Sequence, residues 1–123
     1  RVIRNFVIQG GGYTPGLKLK EPAEGTIFNE SGNGLRNVRG TIAMARTSEP
    51  HSAKGQFYIN LANNKSLNPQ PDRWGYTVFG HVIEGMEIID EISKVPTGPQ
   101  KNLARDVPQV PIIIKKVSRY SFE

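Results

Sequence analysis

The side chains that usually carry covalent or metal chemistry occur in this sequence without the partners that such chemistry needs. The two histidines, His51 and His81, stand 30 positions apart, with no acidic residue at metal-ligand spacing. Cysteine is absent, which excludes thiolate catalysis and disulfides. The segment GGGYTPG has a proline where a dinucleotide fingerprint needs its last glycine, and neither a Walker loop nor a G-x-S-x-G elbow occurs. We therefore expect neither a metal nor an organic cofactor.

What remains is a set of arginine, glutamine and aromatic residues on strand-like segments. Such a set suits a reaction in which no covalent bond is made or broken. Rotation about an X-Pro peptide bond is one such reaction, with a barrier of roughly 18–20 kcal/mol because resonance makes the C–N bond partly double. An enzyme for it needs a dry pocket for the proline ring, a fixed donor that favours a deconjugated nitrogen, and backbone partners for the flanking peptide.

The charge of the chain does not indicate a nucleic-acid partner. The formal net charge is +5, but the basic residues are scattered, and the longest basic run is Lys115-Lys116. Proteins dedicated to nucleic acid normally cluster their positive charge. No apolar run approaches the roughly 20 residues that a membrane-spanning helix needs. We expect a monomer with no nucleic-acid or membrane partner.

Short apolar runs between glycines and prolines predict a mainly β domain. Strands are expected in two pieces within residues 1–9, broken at Arg4-Asn5, and at 40–46, 55–62, 76–85 and 111–117. Long loops are expected at 10–39 and 63–75, and loops of that length are often functional.

One helix is predicted, over residues 85–95. Met86, Ile89 and Ile92 recur at helical spacing and are expected to be buried. Ile88 and Val95 widen the stripe, and Pro96 ends the helix. The order of elements contains no alternating βαβ pattern. It favours a closed or nearly closed antiparallel barrel with a helix packed against it.

Three segments resemble the cyclophilin family of peptidyl-prolyl cis-trans isomerases. They read RVIRNFVIQGGGYTPG, NESGNGLRNVRGTIAMARTSEPHSAKGQFYINLANN and WGYTVFGHVIEGMEIIDEI. Within the family, the bacterial members are the most similar. The resemblance implies an eight-stranded antiparallel barrel capped by helices. In the family, two strands and a first helix precede the segment that matches Arg1, so residues 1–123 are expected to be an N-terminally incomplete isomerase domain.

The resemblance also implies the roles of individual residues. Arg1 matches the catalytic arginine, which hydrogen-bonds near the prolyl nitrogen, and Gln9 matches the residue that orients it. Phe6, Val7, Tyr58 and Leu67 match the pocket for the proline ring. Phe57, next to Tyr58, alternates to the opposite face of the strand and is expected in the core. The other substrate-binding positions are Gln56, Tyr76, and Ala45 and Arg46, whose backbone pairs with the extended peptide.

Several of these positions depart from the family pattern. Val7 is shorter than the usual methionine, Tyr58 replaces a phenylalanine, Arg46 replaces an asparagine, and Tyr76 stands where many members have a histidine. Cyclosporin-sensitive members also carry a tryptophan just before the pocket leucine, and this chain has Ser66 there. We therefore expect isomerase activity with only weak cyclosporin binding.

The function implied is isomerisation of X-Pro bonds in unfolded or exposed polypeptide segments, in support of protein folding. The alternative is a non-catalytic module that grips proline-containing peptides. The bacterial periplasm is the favoured compartment, and the cytoplasm is the alternative.

Overall fold

The computed structural model describes residues 1–22 and 24–121. Its strands are β1 (Val2–Ile3), β2 (Val7–Gly10), β3 (Thr41–Met44), β4 (Phe57–Asn60), β5 (Val78–His81), β6 (Thr97–Gln100) and β7 (Leu103–Pro108). The helix α1 spans Met86–Ile92, and a 3-10 turn spans Lys65–Leu67. Among the described residues no helix is long and apolar enough to cross a membrane.

The first two strands form a tight antiparallel hairpin, in which Val2 lies opposite Ile8. Asn5 in the turn has a φ of 62°, in the left-handed region that asparagine tolerates better than most residues. The predicted break at Arg4-Asn5 is thereby confirmed.

The main sheet has five strands in the order β1-β2-β4-β3-β5, and all of its pairs are antiparallel. In the register, Gln9 lies opposite Tyr58, and Tyr58 lies opposite Ala43. Side chains alternate between the faces of a strand, so one face carries a small buried cluster of Val7, Ala43, Tyr58 and Val78. This cluster lies directly behind the candidate site described below.

The other face of the sheet borders a cavity of about 1000 Å³, lined in part by Ile8, Phe57 and Ile59. Phe57 thus lies on the face opposite to Tyr58, as strand alternation predicts. It is half-buried, whereas we expected a core position.

Helix α1 begins after Gly85, whose φ of 90° suits the sharp entry into the helix. Met86, Ile89 and Ile92 lie on the inward face and Glu87 and Glu91 are exposed, so the predicted orientation of the helix is correct. The three apolar side chains are only half-buried, however, and the helix ends at Ile92 instead of the predicted residue 95. The expected widening by Ile88 is wrong, because that side chain is 61% exposed.

The predicted strand at 111–117 is wrong. The segment has no regular secondary structure, and Ile112, Ile113 and Ile114 line the large cavity while staying 40–56% exposed. β-Branched residues favour an extended backbone, but a strand also requires a pairing partner. The second sheet is instead the antiparallel hairpin of β6 and β7, a segment for which no strand was predicted.

An ion pair fastens α1 to the entry of β3. The Arg39 guanidinium donates to both carboxylate oxygens of Asp90, at 2.9 and 2.7 Å, and also to the Leu61 carbonyl at 3.1 Å. These hydrogen bonds hold the pKa of Asp90 below its ordinary value of 3.8. The folded state therefore favours the carboxylate.

We expect low pH to weaken the ion pair between Arg39 and Asp90. Because the pKa of Asp90 is lowered in the folded state, its ionisation contributes to the free energy of unfolding above pH 3.8. This contribution is lost as the pH falls through the lowered pKa. The free energy of unfolding should therefore drop more steeply below about pH 4 in the wild type than in Asp90→Asn. Denaturant titrations at several pH values measure this difference. Parallel curves for the two proteins would contradict it.

Candidate active site

A groove of about 200 Å³ opens beside the buried cluster of the main sheet. Its walls comprise Arg1, Ile3, Phe6, Val7, Gln9, Ala45, Arg46, Tyr58, Leu67 and Tyr76. Every predicted site residue except Gln56 therefore lies in one groove. Ile3 is an addition that the sequence did not indicate. The roles of these residues remain predictions, to be tested as described below.

The apolar walls come from four separate parts of the chain. Val7 and Tyr58 project from the paired strands β2 and β4, and both are at least 95% buried. Leu67 ends the 3-10 turn, and its carbonyl accepts a hydrogen bond from the Tyr76 N–H at 2.9 Å. The rings of Tyr58 and Tyr76 meet edge to face, with centroids 6.0 Å apart. Such packing fixes the shape of a small apolar pocket.

Arg1 and Gln9 are held side by side through their backbones. The Arg1 backbone nitrogen donates to the Gln9 carbonyl at 2.9 Å, and the Gln9 N–H donates to the Arg1 carbonyl at 2.8 Å. The Arg1 side chain is 46% exposed, and its Nη2 donates to Asp106 at 3.4 Å. The guanidinium therefore stands at the groove with most of its donors available.

The Gln9 side chain hydrogen-bonds to a second glutamine. Its Nε2 donates to the Oε1 of Gln56 at 3.0 Å, whereas the Arg1 guanidinium donates to Asp106. Gln56 itself borders the large cavity. It is linked to the groove through its hydrogen bond with Gln9. Asp106 lies in β7 with a φ of 65°, and nothing in the sequence marked it as a neighbour of Arg1.

The Arg46 side chain has a role that sequence reasoning missed. It donates to the carbonyls of Thr47 at 2.8 Å, Trp74 at 2.9 Å and Gly75 at 3.3 Å. Its guanidinium also lies 4.4 Å from the centre of the Tyr76 ring. The family resemblance assigns a role only to the backbone of Arg46, in pairing with the peptide. Its side chain instead joins the end of β3 to the loop that supplies the Tyr76 wall.

Gly75 is the point at which this loop passes closest to its neighbour. A Cβ on Gly75 would collide with the backbone of Asn68 and Pro69, so only glycine allows the approach. The Gly75 carbonyl also accepts a hydrogen bond from Asn29 at 2.9 Å, in addition to the one from Arg46. The loop is thus held in place at the residue that precedes Tyr76.

Replacing Arg46 with alanine should loosen that wall. Three charge-assisted hydrogen bonds and a cation–π contact are lost, and we expect the free energy of unfolding to fall by about 2 kcal/mol. Arg46→Lys should recover only part of the loss, because an ammonium lacks the planar fork of donors. Arg36→Ala, at an exposed position, serves as the control. Equal midpoints for Arg46→Ala and Arg36→Ala in urea titrations would contradict the assignment.

Burial affects the chemistry of one group in the groove. It raises the pKa of the Tyr58 phenol, with the neighbouring Tyr76 adding to the effect. The hydroxyl therefore stays protonated and acts as a hydrogen-bond donor throughout the range in which proteins are stable.

Comparison with known proteins identifies the family. Residues 1–119 match the family model of cyclophilin type peptidyl-prolyl cis-trans isomerases. The chain belongs to the cyclophilin family. It is 49% identical to peptidyl-prolyl cis-trans isomerase B of Escherichia coli over 121 residues, which are 96% of this chain and 73% of that protein. It is 50% identical to a peptidyl-prolyl cis-trans isomerase of Acinetobacter baylyi, covering 95% of this chain and 61% of that protein.

Solved cyclophilin structures share the fold. A cyclophilin type isomerase of Cryptosporidium parvum, crystallised in the presence of the dipeptide Ala-Pro, is similar with a TM-score of 0.65 and 28% identity. The match covers 85% of this chain and 63% of that chain. The predicted class, a mainly β antiparallel cyclophilin fold, is thereby confirmed. The chain is a cyclophilin-type peptidyl-prolyl cis-trans isomerase domain.

Proposed function

We propose that this cyclophilin domain accelerates rotation about X-Pro bonds by binding the proline ring in the groove and stabilising the twisted amide with Arg1. The observation that carries the proposal is the convergence of apolar walls and one half-exposed guanidinium in a single small groove. Charge–dipole stabilisation of this kind acts where charge develops in the transition state.

The walls supply binding and the exclusion of water. Phe6, Leu67 and Tyr76 are half-buried and pack on the buried core of Val7 and Tyr58, so they are already in place before a substrate arrives. A preformed apolar pocket holds a proline ring with little reorganisation. The twisted, pyramidal nitrogen of the transition state loses its resonance with the carbonyl, and it then becomes an acceptor for an N–H donor.

Arg1 is suited to be that donor. Its guanidinium carries a positive charge and presents several N–H groups in a fixed plane. The contact to Asp106 at 3.4 Å limits the directions in which it can point. No proton has to move, so the reaction needs no general base.

The substrate class follows from the small pocket and the open groove. Proline-containing peptide segments that are unfolded or exposed fit it, and the Cryptosporidium relative that was crystallised with Ala-Pro supports this class. Where the pocket ends, Ser66 is exposed and offers no broad apolar surface. We propose that cyclosporin binds weakly for that reason.

A protease-coupled assay with a tetrapeptide that contains a central Ala-Pro bond tests the function. We expect the rate of cis-to-trans conversion to rise in proportion to the enzyme concentration. A protein that binds the peptide in a titration but leaves this rate unchanged would be a non-catalytic binder of proline-containing peptides. That result would overturn the proposal.

A further inference from the structure

A cluster of buried amide side chains lies beneath the groove. It consists of Asn37, Asn60, Asn64 and Asn68, each no more than 9% exposed. Burying an amide is costly unless it is hydrogen-bonded. In the described part of the chain, every buried side-chain nitrogen and oxygen has a partner. The isomerase mechanism above makes no use of this cluster.

Asn37 touches three walls of the groove from below. Its Oδ1 accepts a hydrogen bond from the Tyr58 hydroxyl at 2.7 Å. Its Nδ2 lies 3.2 Å from the Leu67 carbonyl and 3.3 Å from the Tyr76 carbonyl. One side chain thus contacts the residues on β4, on the 3-10 turn and on the loop that follows it.

The other amides extend the network to a fourth wall. Asn60 donates to the Oδ1 of Asn37 at 3.0 Å, and Asn64 donates to the Oδ1 of Asn60 at 2.8 Å. Asn64 also donates to the Phe6 carbonyl at 2.9 Å. A continuous chain of hydrogen bonds therefore connects Phe6 with the far side of the groove.

Asn37 is itself held by backbone contacts. Its N–H donates to the Oδ1 of Asn68 at 2.7 Å, and its carbonyl accepts from the Asn64 N–H at 2.8 Å. Both positions of the Asn37 amide, and both groups of its backbone, are therefore engaged. A side chain fixed in this way can hold other groups to a defined position.

We propose that Asn37 is a positioning residue for X-Pro isomerisation, acting on the substrate pocket through the Tyr58 hydroxyl and the carbonyls of Leu67 and Tyr76. The proposal rests on the proposed function. Catalysis by a pocket and a fixed donor depends on geometry to within about half an ångström. The network supplies that constraint from beneath, without contacting the substrate.

The test is a double-mutant cycle between Tyr58→Phe and Asn37→Ala, with the tetrapeptide assay as readout. Tyr58→Phe removes one hydroxyl and keeps the apolar ring, so we expect a folded protein with kcat/KM lowered about 5-fold, mainly through kcat. Asn37→Ala should lose more, and the double variant should be no worse than Asn37→Ala alone, because both changes break one interaction. Tyr13→Phe, at an exposed tyrosine outside the groove, is the matched control.

Each outcome decides the proposal. Wild-type kcat/KM in Tyr58→Phe would overturn it, and so would losses that multiply in the double variant. A lower melting temperature with unchanged kcat at a temperature where all variants are folded would show a structural role only. If Asn37→Ala does not fold, Tyr58→Phe alone decides. An inactive wild type would instead refute the proposed function, and this inference with it, so the two failures are distinguishable.

Discussion

Replacing Arg1 with alanine should lower kcat/KM for the Ala-Pro tetrapeptide by about two decades, equivalent to ~3 kcal/mol of transition-state stabilisation. Two described arginines line the groove, and the guanidinium of Arg1 is the one available to the substrate, because Arg46 is committed to three carbonyls. The loss should appear in kcat, because the apolar walls that bind the proline ring are untouched. The coupled assay measures kcat, and a separate titration measures peptide affinity, so the two effects can be told apart.

Two further variants make the Arg1 result specific. Arg1→Lys keeps the positive charge but loses the planar fork, and we expect it to recover only part of the activity. Arg4→Ala changes an exposed arginine of the same hairpin that does not line the groove, and it should behave as the wild type. Unchanged kcat/KM in Arg1→Ala would mean that another residue is the donor.

Replacing Ser66 with tryptophan should strengthen cyclosporin inhibition by two to three decades. Ser66 is exposed and precedes the pocket residue Leu67, and a tryptophan there would add an apolar wall of about 150–250 Å² and an indole N–H. Its backbone is anchored, because the Ser66 carbonyl accepts a hydrogen bond from Arg73 at 2.7 Å. Tetrapeptide turnover should hardly change, since the small proline pocket does not need that wall.

Trp74 does not supply the missing wall. Its ring contacts His51 edge to face at a centroid distance of 4.9 Å, and its carbonyl is bonded to Arg46. The experiment titrates cyclosporin against the wild type, Ser66→Trp and the matched variant Ser66→Leu. We expect micromolar or weaker inhibition of the wild type. Nanomolar inhibition of the wild type would contradict this prediction.

Most of the candidate groove could be predicted because three segments of the chain resemble the cyclophilin family, and that resemblance assigned the residues to the groove one by one. Val7 and Tyr58 were assigned to the pocket and Phe57 to the opposite face, and the register of β2 with β4 places them so. The break between β1 and β2 at Asn5 could also be predicted, because few residues adopt the left-handed conformation of a tight turn easily.

The features that were missed depend on long-range partners that no local pattern encodes. Asn37 lies in a glycine-rich loop and resembles any solvated turn residue, yet it is 1% exposed. The contact of Arg1 with Asp106 joins residues 105 positions apart. The isoleucines at 112–114 have strong β propensity, but propensity does not create a neighbouring strand for them to pair with.

The same distance between partners bears on how the domain folds. Val7 pairs with Asn60, 53 positions along the chain, and the groove has no walls until β2 and β4 have met. Closing such a long loop costs entropy before any contact compensates for it, which makes pairings of this kind slow. The hairpin of β6 and β7 and the helix α1 need only local contacts and should form sooner. In refolding from denaturant, the recovery of isomerase activity should therefore lag behind the return of the helical circular dichroism signal. The time course of activity would then report when β2 and β4 pair.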